Sequence, residues 1–265
     1  MHLLLITAVA FLAAAVNSIA GGGTFLTFPT LVGVGGLTDK VANMTSTLGL
    51  WPGSAASIYA ARKDIACVPR RMAIAYSLIS LVGGTAGAVL LRYYTSTQTF
   101  RLVIPWLLAF ATIVFAFSKP IARWAGRQHG HRTLGWTVFV GFVQLVVAVY
   151  GGYFGAGIGV LMLAGLSFAG LDDIHQMNGL KVLLATIING VAAVIFFVGS
   201  LGAVSRADRV DWPIALSMAL AGVVGGFLGM VAARRIKQEQ LRAVILTIGV
   251  LLTVVYFIKN YRLLG

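Results

Sequence analysis

Charged residues are scarce in this sequence, and their scarcity excludes a water-soluble fold. Only 10% of the 265 residues are charged, whereas 59% are hydrophobic. Soluble domains carry about 25% charged residues, because polar groups must cover much of their surface. A chain this apolar therefore has lipid as its solvent. The 32 glycines fit this conclusion, since glycine is commoner in membrane helices than in soluble ones.

Cysteines, acidic residues and catalytic motifs are also rare or missing. The single cysteine, Cys67, cannot form an internal disulfide. None of the seven acidic residues lies deep inside an apolar run, so cation coupling through a buried carboxylate has little support. No nucleophile–base motif, phosphate-binding loop or metal-binding motif is present. His129 and His131 form only a His-x-His pair in a basic loop, which we interpret as solvated. The sequence therefore predicts no enzyme, no cofactor and no metal site.

Eight apolar runs follow one another along the chain. They span Leu3–Gly36, Val41–Ala61, Met72–Leu91, Leu102–Phe117, Thr133–Gly170, Ile174–Leu201, Trp212–Ala233 and Leu241–Ile258. A membrane crossing takes about 20 residues, and six of the runs fit that length. The first run would form a helix about 51 Å long at 1.5 Å per residue. The first and fifth runs are therefore too long for one crossing and too short for two.

Glycine interrupts both long runs near their middle. The first break spans Asn17–Thr24, and the second spans Tyr150–Gly159. Glycine costs about 1 kcal/mol relative to alanine inside a helix, so three glycines close together should end it. We therefore expect each long run to form two half-helices joined by a glycine-rich turn.

The two breaks lie about half the chain length apart, and other residues repeat at nearly that offset. Leu37-Thr38-Asp39 matches Leu171-Asp172-Asp173, and Asn43 matches Asn178. This pattern predicts an internal duplication into residues 1–132 and 133–265. Each half holds one broken segment and three further helices. Weakly similar halves with a broken helix in each are typical of secondary transporters.

The positions of the basic residues help to choose between two topologies. If each broken segment re-enters and leaves on the same face, the halves are inverted, with three crossings each. The basic clusters at 62–71, 119–132 and 234–242 then share one side, which the positive-inside rule makes cytoplasmic. If each broken segment crosses once, the halves are parallel and the third cluster is separated from the others. We favour an all-α polytopic fold with inverted repeats and re-entrant hairpins, and both termini outside the cytoplasm.

The turns in the two broken segments are the first candidate site. The half-helices that begin near Thr24 and Ile158 carry unpaired N–H groups and the positive end of the helix dipole. Two such N-termini that meet near the membrane midplane would bind an anion. The alternative is that the glycines only allow close helix packing. The candidate backbone residues are Gly21, Gly22, Gly23, Thr24, Gly155, Gly157 and Gly159.

Lys181 and a set of polar side chains are the second group of candidates. Lys181 lies roughly 12 Å into its helix, where an ionisable residue indicates function. It would attract an anion, or else snorkel to the interface and pair with Asp172 or Asp173. The polar side chains would bind a solute or tie helices together. Those that we propose for binding are Asn43, Thr45, Ser46 and Asn178, with Thr47, Thr186 and Asn189 as neighbours.

Two stretches of the first half resemble a known family. They are Ala20-Gly21-Gly22-Gly23-Thr24-Phe25-Leu26-Thr27-Phe28-Pro29-Thr30-Leu31 and Ala42-Asn43-Met44-Thr45-Ser46. Both are similar to segments of the TauE/SafE sulfite exporter family. The second half repeats the pattern more loosely, from Gly151 to Gly157 and from Asn178 to Lys181. It departs from the pattern at Leu163-Ala164-Gly165, where the family has a proline-containing stretch.

The resemblance implies a multi-pass transporter of the bacterial inner membrane, without a cofactor. Its substrate would be a small sulfur-containing anion such as sulfite, sulfoacetate or another organosulfonate, and we expect export. The alternative is a channel or carrier for another solute, such as thiosulfate taken up, a neutral sulfur compound or a metal ion. A membrane-embedded enzyme or assembly subunit has the least support. The sequence leaves the oligomeric state open, with a homodimer among the options.

Overall fold

The described part of the chain is helical. A computed structural model describes residues 1–19, 21–126, 133–169, 171, 173–203, 209–232 and 238–261. The helices are α1 His2–Ile19, α2 Thr24–Gly33, α3 Asp39–Ala66, α4 Arg70–Val89, α5 Thr97–Gly126, α6 Leu134–Tyr153, α7 Ile158–Leu166, α8 Ile174–Leu201, α9 Trp212–Ala232 and α10 Gln238–Tyr261. A π-helical segment, Leu90–Tyr94, extends α4, and a 3₁₀ turn, Ser167–Ala169, extends α7. No strand occurs within these ranges, so the predicted all-α class is confirmed.

Helix length and hydrophobicity agree with a multi-pass membrane protein. Seven of the described helices are long and apolar enough to cross a membrane, namely α1, α4, α5, α6, α8, α9 and α10. The more polar α3 has 28 residues and, at about 42 Å, is also long enough. By contrast, α2 has 10 residues and α7 has 9, so each spans about 15 Å and covers only half of the bilayer core.

Each broken segment folds back on itself as a hairpin. In the second, the Trp136 indole at the start of α6 donates to the Phe168 carbonyl just beyond α7, at 3.1 Å. In the first, Gly23 before α2 packs against the carbonyl of Ala13 in α1. We call α1–α2 hairpin 1 and α6–α7 hairpin 2. Their turns are tip 1, Gly21–Gly23, and tip 2, Phe154–Gly157.

The second break is shorter than the sequence predicted. Gly151 and Gly152 belong to the last turn of α6, and the helix ends only at Tyr153. Packing explains why these glycines stay helical: Gly152 lies against the carbonyl of Gly84 in α4, where a side chain has no room. The chain turns instead at Gly155 and Gly157, which have φ angles of 75° and 72°. Only glycine adopts this left-handed conformation at little cost.

The first helix of each half packs against the fourth helix of the other half. On one side, Gly225 and Gly229 of α9 lie against the backbone of Phe11 and Ala15 in α1. On the other side, Gly87 of α4 lies against the backbone of α6. Small residues let the two backbones approach closely, which is how membrane helices associate without a hydrophobic driving force. The packing is therefore symmetric between the halves: α1 packs against α9 in the same way as α6 packs against α4.

The long helices α3 and α8 cross at the centre and run in opposite directions. The Trp51 indole donates to the Thr186 carbonyl at 3.2 Å, and Gly179 near the start of α8 lies against Asp64 near the end of α3. At the opposite end, Arg92 donates to the carbonyl of Gly199 near the end of α8. A topology in which each broken segment crosses once would put Asp64 and Gly179 on opposite membrane faces.

Candidate functional site

The two hairpins meet at glycines. The backbone of Gly21 in tip 1 touches the backbone of Gly159 in the first turn of α7, and both residues are buried. A methyl group on either glycine would overlap the main chain of the other. Gly21 also has a φ of 79°. The contact between the hairpins therefore requires glycine at both positions.

The N-termini of both half-helices lie close to the hairpin contact. The N-cap residues are Gly23 for α2 and Gly157 for α7, and neither helix has a side-chain cap. In tip 1 the amide of Phe25 donates to the carbonyl of Gly22, at 3.1 Å. The first amides of a helix have no intrahelical acceptor and carry the positive end of its dipole. In tip 2 the amides of Ile158 and Val160 donate to the carbonyls of Gly155 and Gly157, so both helix ends satisfy part of their backbone donors within the tips.

Lys181 is buried beside this contact, with 1% of its surface exposed. Its ammonium donates to the carbonyls of Ser18 and Ile19, at 3.0 and 3.3 Å. These are the last carbonyls of α1, so the ammonium neutralises the negative end of that helix. The snorkelling interpretation is therefore wrong. Asp173 instead caps α8 by accepting from the amide of His175 at 2.9 Å, and Asp172 lies outside the described residues.

A network of hydroxyl groups joins the end of α1, just before tip 1, to α3 and α9. The hydroxyls of Ser18 and Ser57 lie 2.6 Å apart, and each lies within hydrogen-bond distance of the carbonyl of Gly226 in α9. Asn17 donates to the Ser54 hydroxyl at 3.4 Å. None of these side chains is among the site residues predicted from the sequence. Ser54 and Ser57 are three residues apart and share one face of α3, which is the signal that could have identified them.

At tip 2 a side-chain amide binds the end of the preceding helix, whereas at tip 1 the Lys181 ammonium does so. Asn43 of α3, 1% exposed, donates through Nδ2 to the carbonyl of Tyr153 at 3.1 Å. Its Oδ1 has no hydrogen-bond partner among the described residues. Asn189 of α8 points its Oδ1 towards Gly155. Phe154 closes this tip and packs edge-on against Phe28, with ring centroids 5.6 Å apart.

The other predicted binding residues lie at helix contacts around the tips. The Thr45 hydroxyl accepts from the Asp211 amide at the start of α9, at 3.3 Å. The Ser46 hydroxyl lies 2.6 Å from that of Thr27 and joins α3 to α2. Asn178 donates to the sulfur of Met230, at 3.7 Å. Their part in substrate binding stays a prediction. Several basic residues of the predicted cytoplasmic face, with His129 and His131, lie outside the described residues.

Comparison with known proteins identifies the family. The family described as sulfite exporter TauE/SafE matches residues 6–256. The chain belongs to this family. Tip 1, the α3 residues that follow it, tip 2 and Lys181 all fall within the matched range, so the family match covers the candidate site.

Curated relatives of this TauE/SafE member are named as transporters. The probable membrane transporter protein of Xylella fastidiosa strain Temecula1 is 26% identical over 233 residues, which cover 85% of this chain and 82% of the relative. That of Haemophilus influenzae is 26% identical over 83% of this chain and 81% of its own. The probable membrane transporter YfcA of Escherichia coli K12 is 25% identical over 92% and 86%. No solved structure matches significantly.

Family and relatives together establish a multi-pass membrane transporter, and they bear out the prediction that the protein is not an enzyme. A transporter implies a small-molecule substrate and a lipid bilayer around the helices. Many large apolar side chains are exposed on the described helices, such as Leu220 of α9 and Phe142 of α6, as a lipid-facing surface requires.

Proposed function

We propose that this TauE/SafE member is a secondary transporter for a small sulfur-containing anion, sulfite or an organosulfonate, which it exports across the bacterial inner membrane. The observation that carries the proposal is the meeting of two glycine-capped helix N-termini beside a buried lysine. Backbone amides at helix N-termini bind oxyanions, and glycine lets the anion approach the main chain.

The charges around the tips support an anion as the substrate. Each helix N-terminus stabilises a nearby negative charge by about 0.3–1 kcal/mol, and by up to about 2 kcal/mol in partly buried geometry. Lys181 adds a side-chain N–H donor group whose stem lies next to Gly159. The four aspartates whose side chains the structure describes, Asp39, Asp64, Asp173 and Asp211, lie at or near helix ends. None of these four carboxylates therefore lies in the glycine-rich tips to repel an anion there.

The transport cycle that we propose uses two inverted repeats, residues 1–132 and 133–265. Support comes from two equivalent contacts. Helix α1 of the first half packs against α9 of the second half, and α6 of the second half packs against α4 of the first half. One repeat would move against the other and expose the tips alternately to the two faces. Efflux of an anion from a negative interior is downhill by about 2.3 kcal/mol per charge per 100 mV, so export needs no coupling ion.

The test is the flux of labelled sulfite into proteoliposomes that contain the pure protein, with the membrane potential set by a potassium gradient. We expect saturable, potential-sensitive flux that sulfoacetate and thiosulfate inhibit. Lys181→Gln should raise the KM for sulfite. Lys40→Gln is the matched control, because Lys40 is also buried and donates to the carbonyls of Arg92 and Thr95, away from the tips. No flux of any sulfur anion above that of empty liposomes would contradict the proposal.

A further inference from the structure

The two tips differ in the side chain that binds the end of the preceding helix. At tip 1 the Lys181 side chain donates to the carbonyls of Ser18 and Ile19, and an ammonium offers donors only. At tip 2 the Asn43 side chain donates through Nδ2 to the Tyr153 carbonyl, at 3.1 Å. A side-chain amide also carries an acceptor oxygen. Asn43 therefore brings a side-chain acceptor to tip 2, whereas Lys181 brings none to tip 1.

The acceptor oxygen of Asn43 has no partner among the described residues. Asn43 is 1% exposed, and no described group donates to its Oδ1. The bond from Nδ2 to Tyr153 fixes the orientation of the amide, because in the flipped orientation Oδ1 would face the carbonyl oxygen of Tyr153. Buried polar atoms are nearly always hydrogen-bonded, so an exception calls for an explanation. The group that Oδ1 lacks is a donor, an O–H or an N–H.

Three backbone amides at the same tip find no acceptor among the described residues. Ala156, Gly157 and Gly159 are buried, and no described group accepts a hydrogen bond from their amides. They lie at the N-terminus of α7, which carries the positive end of the helix dipole. Asn43 Oδ1 shares a carbon atom with Nδ2, and Nδ2 binds the residue directly before the tip. Unpartnered donors and an unpartnered acceptor therefore lie at the same turn.

This combination selects the chemistry of a ligand. The oxygens of an anion accept hydrogen bonds from the amides of a helix N-terminus, whereas an acceptor such as Oδ1 binds a donor and repels an anionic oxygen. The sulfite dianion has oxygens but no donor. Hydrogensulfite has one O–H beside its anionic oxygens, and a hydroxyalkanesulfonate likewise has both groups.

We propose that the solute bound at tip 2 is a singly charged sulfur oxyanion that carries a hydroxyl group, and that Asn43 Oδ1 accepts the hydrogen bond of this hydroxyl. Sulfite is thus recognised as hydrogensulfite, with its anionic oxygens at the amides of the α7 N-terminus. Asn43 determines specificity, because an analogue without the hydroxyl leaves Oδ1 unpaired. The inference rests on the proposed function and adds the protonation state of the substrate.

Two sulfonates of equal charge and nearly equal size test the role of the hydroxyl. Isethionate, which is hydroxyethanesulfonate, has an O–H where propanesulfonate has a methyl group. Each is added as a competitor of labelled sulfite flux into proteoliposomes that contain the pure protein. We expect a Ki about tenfold lower for isethionate than for propanesulfonate. Equal inhibition, or inhibition by neither compound, would overturn the inference. Absence of flux for every sulfur anion would overturn the proposed function instead.

A variant of Asn43 assigns the preference to tip 2. Asn43→Leu removes Oδ1, so we expect isethionate and propanesulfonate to inhibit its sulfite flux equally. Gln144→Leu is the matched control, because Gln144 Oε1 is also buried without a described partner but its amide binds Ser80 at the α4–α6 contact. The ratio of the two Ki values is taken within each variant, so a smaller amount of folded protein does not change it. A preference for isethionate that survives in Asn43→Leu, or that disappears equally in Gln144→Leu, would overturn the assignment.

The pH dependence of the flux tests the protonation state in the wild-type protein. Hydrogensulfite and sulfite interconvert near neutral pH, whereas isethionate keeps one negative charge throughout. We expect the KM for total sulfite, divided by the Ki of isethionate at the same pH, to rise as the hydrogensulfite fraction falls. Titratable side chains near the tips, such as Lys181 and Tyr150, act on both anions and cancel in this ratio. A ratio that does not change with pH would overturn recognition of hydrogensulfite.

Discussion

Tip 1 and tip 2 have the same scaffold but differ in charge. In both, a long helix ends, a glycine-rich turn follows and a short helix begins at an uncapped N-terminus. At tip 1 the end of the long helix is bound by Lys181, and at tip 2 by Asn43. The half of each tip that we propose for anion binding is thus made by the backbone, whereas one side chain from a distant helix binds the other half. Duplicated architecture therefore does not imply duplicated electrostatics.

The largest effect is expected where the two hairpins touch. Gly21→Ala should lower the free energy of unfolding by about 1–3 kcal/mol more than Gly36→Ala does. Both glycines have positive φ, so both variants pay the cost of a left-handed alanine, about 1–2 kcal/mol. Only Gly21 faces the backbone of Gly159, and that contact adds the cost of overpacking. Denaturant unfolding in detergent measures the difference. Equal losses of unfolding free energy in the two variants would show that the contact between the hairpins adds nothing to the cost of the Gly21 substitution.

The next effect concerns the charge at tip 1. Lys181→Met keeps most of the side-chain volume but leaves the Ser18 and Ile19 carbonyls without their donor. Hydrogen bonds to a charged group contribute about 1.5–3 kcal/mol, so we expect a loss of stability of that size. Lys181→Arg should recover part of it, because the positive charge remains. Thermal unfolding of the three proteins checks the order. A methionine variant as stable as the wild type would mean that these bonds do not stabilise the fold.

The smallest effect is expected at Asn178. Its amide donates to a sulfur atom, Met230 Sδ, at 3.7 Å, and the side chain is partly exposed. Sulfur is a weak acceptor, so Asn178→Ala should change the free energy of unfolding by no more than about 0.5 kcal/mol. Denaturant unfolding tests this value. A loss as large as that of Lys181→Met would show that the α8–α9 contact stabilises the protein as much as the tip does.

The sequence was sufficient to predict the helices and the two interruptions. Hydrophobic runs and glycine content determine where a helix can cross lipid and where it ends, and both are local properties. Gly151 and Gly152 show the limit of this reasoning, since composition alone predicted a break there. The contact of Gly152 with Gly84, which is distant in the sequence, keeps this stretch helical.

Partners of the buried polar side chains could not be predicted in the same way. Lys181 and the Ser18 carbonyl are 163 residues apart, and Asn43 and the Tyr153 carbonyl are 110 apart. The depth of Lys181 in its helix marked it as unusual. The only partners that the nearby sequence offered were Asp172 and Asp173, just before the helix. Burial of a charge requires a compensating group, and only the folded chain shows that this group is the end of α1.

The glycine contacts between α1 and α9 have a mechanical consequence. Gly225 and Gly229 touch the main chain of Phe11 and Ala15, so no large side chain of one helix interlocks with the other at these points. Small sliding of packed helices is one of the ways in which proteins change state. At the two helix contacts, α1 with α9 and α6 with α4, the helices can slide past each other with few rotamer changes. A bulky side chain at either contact would oppose this sliding without touching the solute directly.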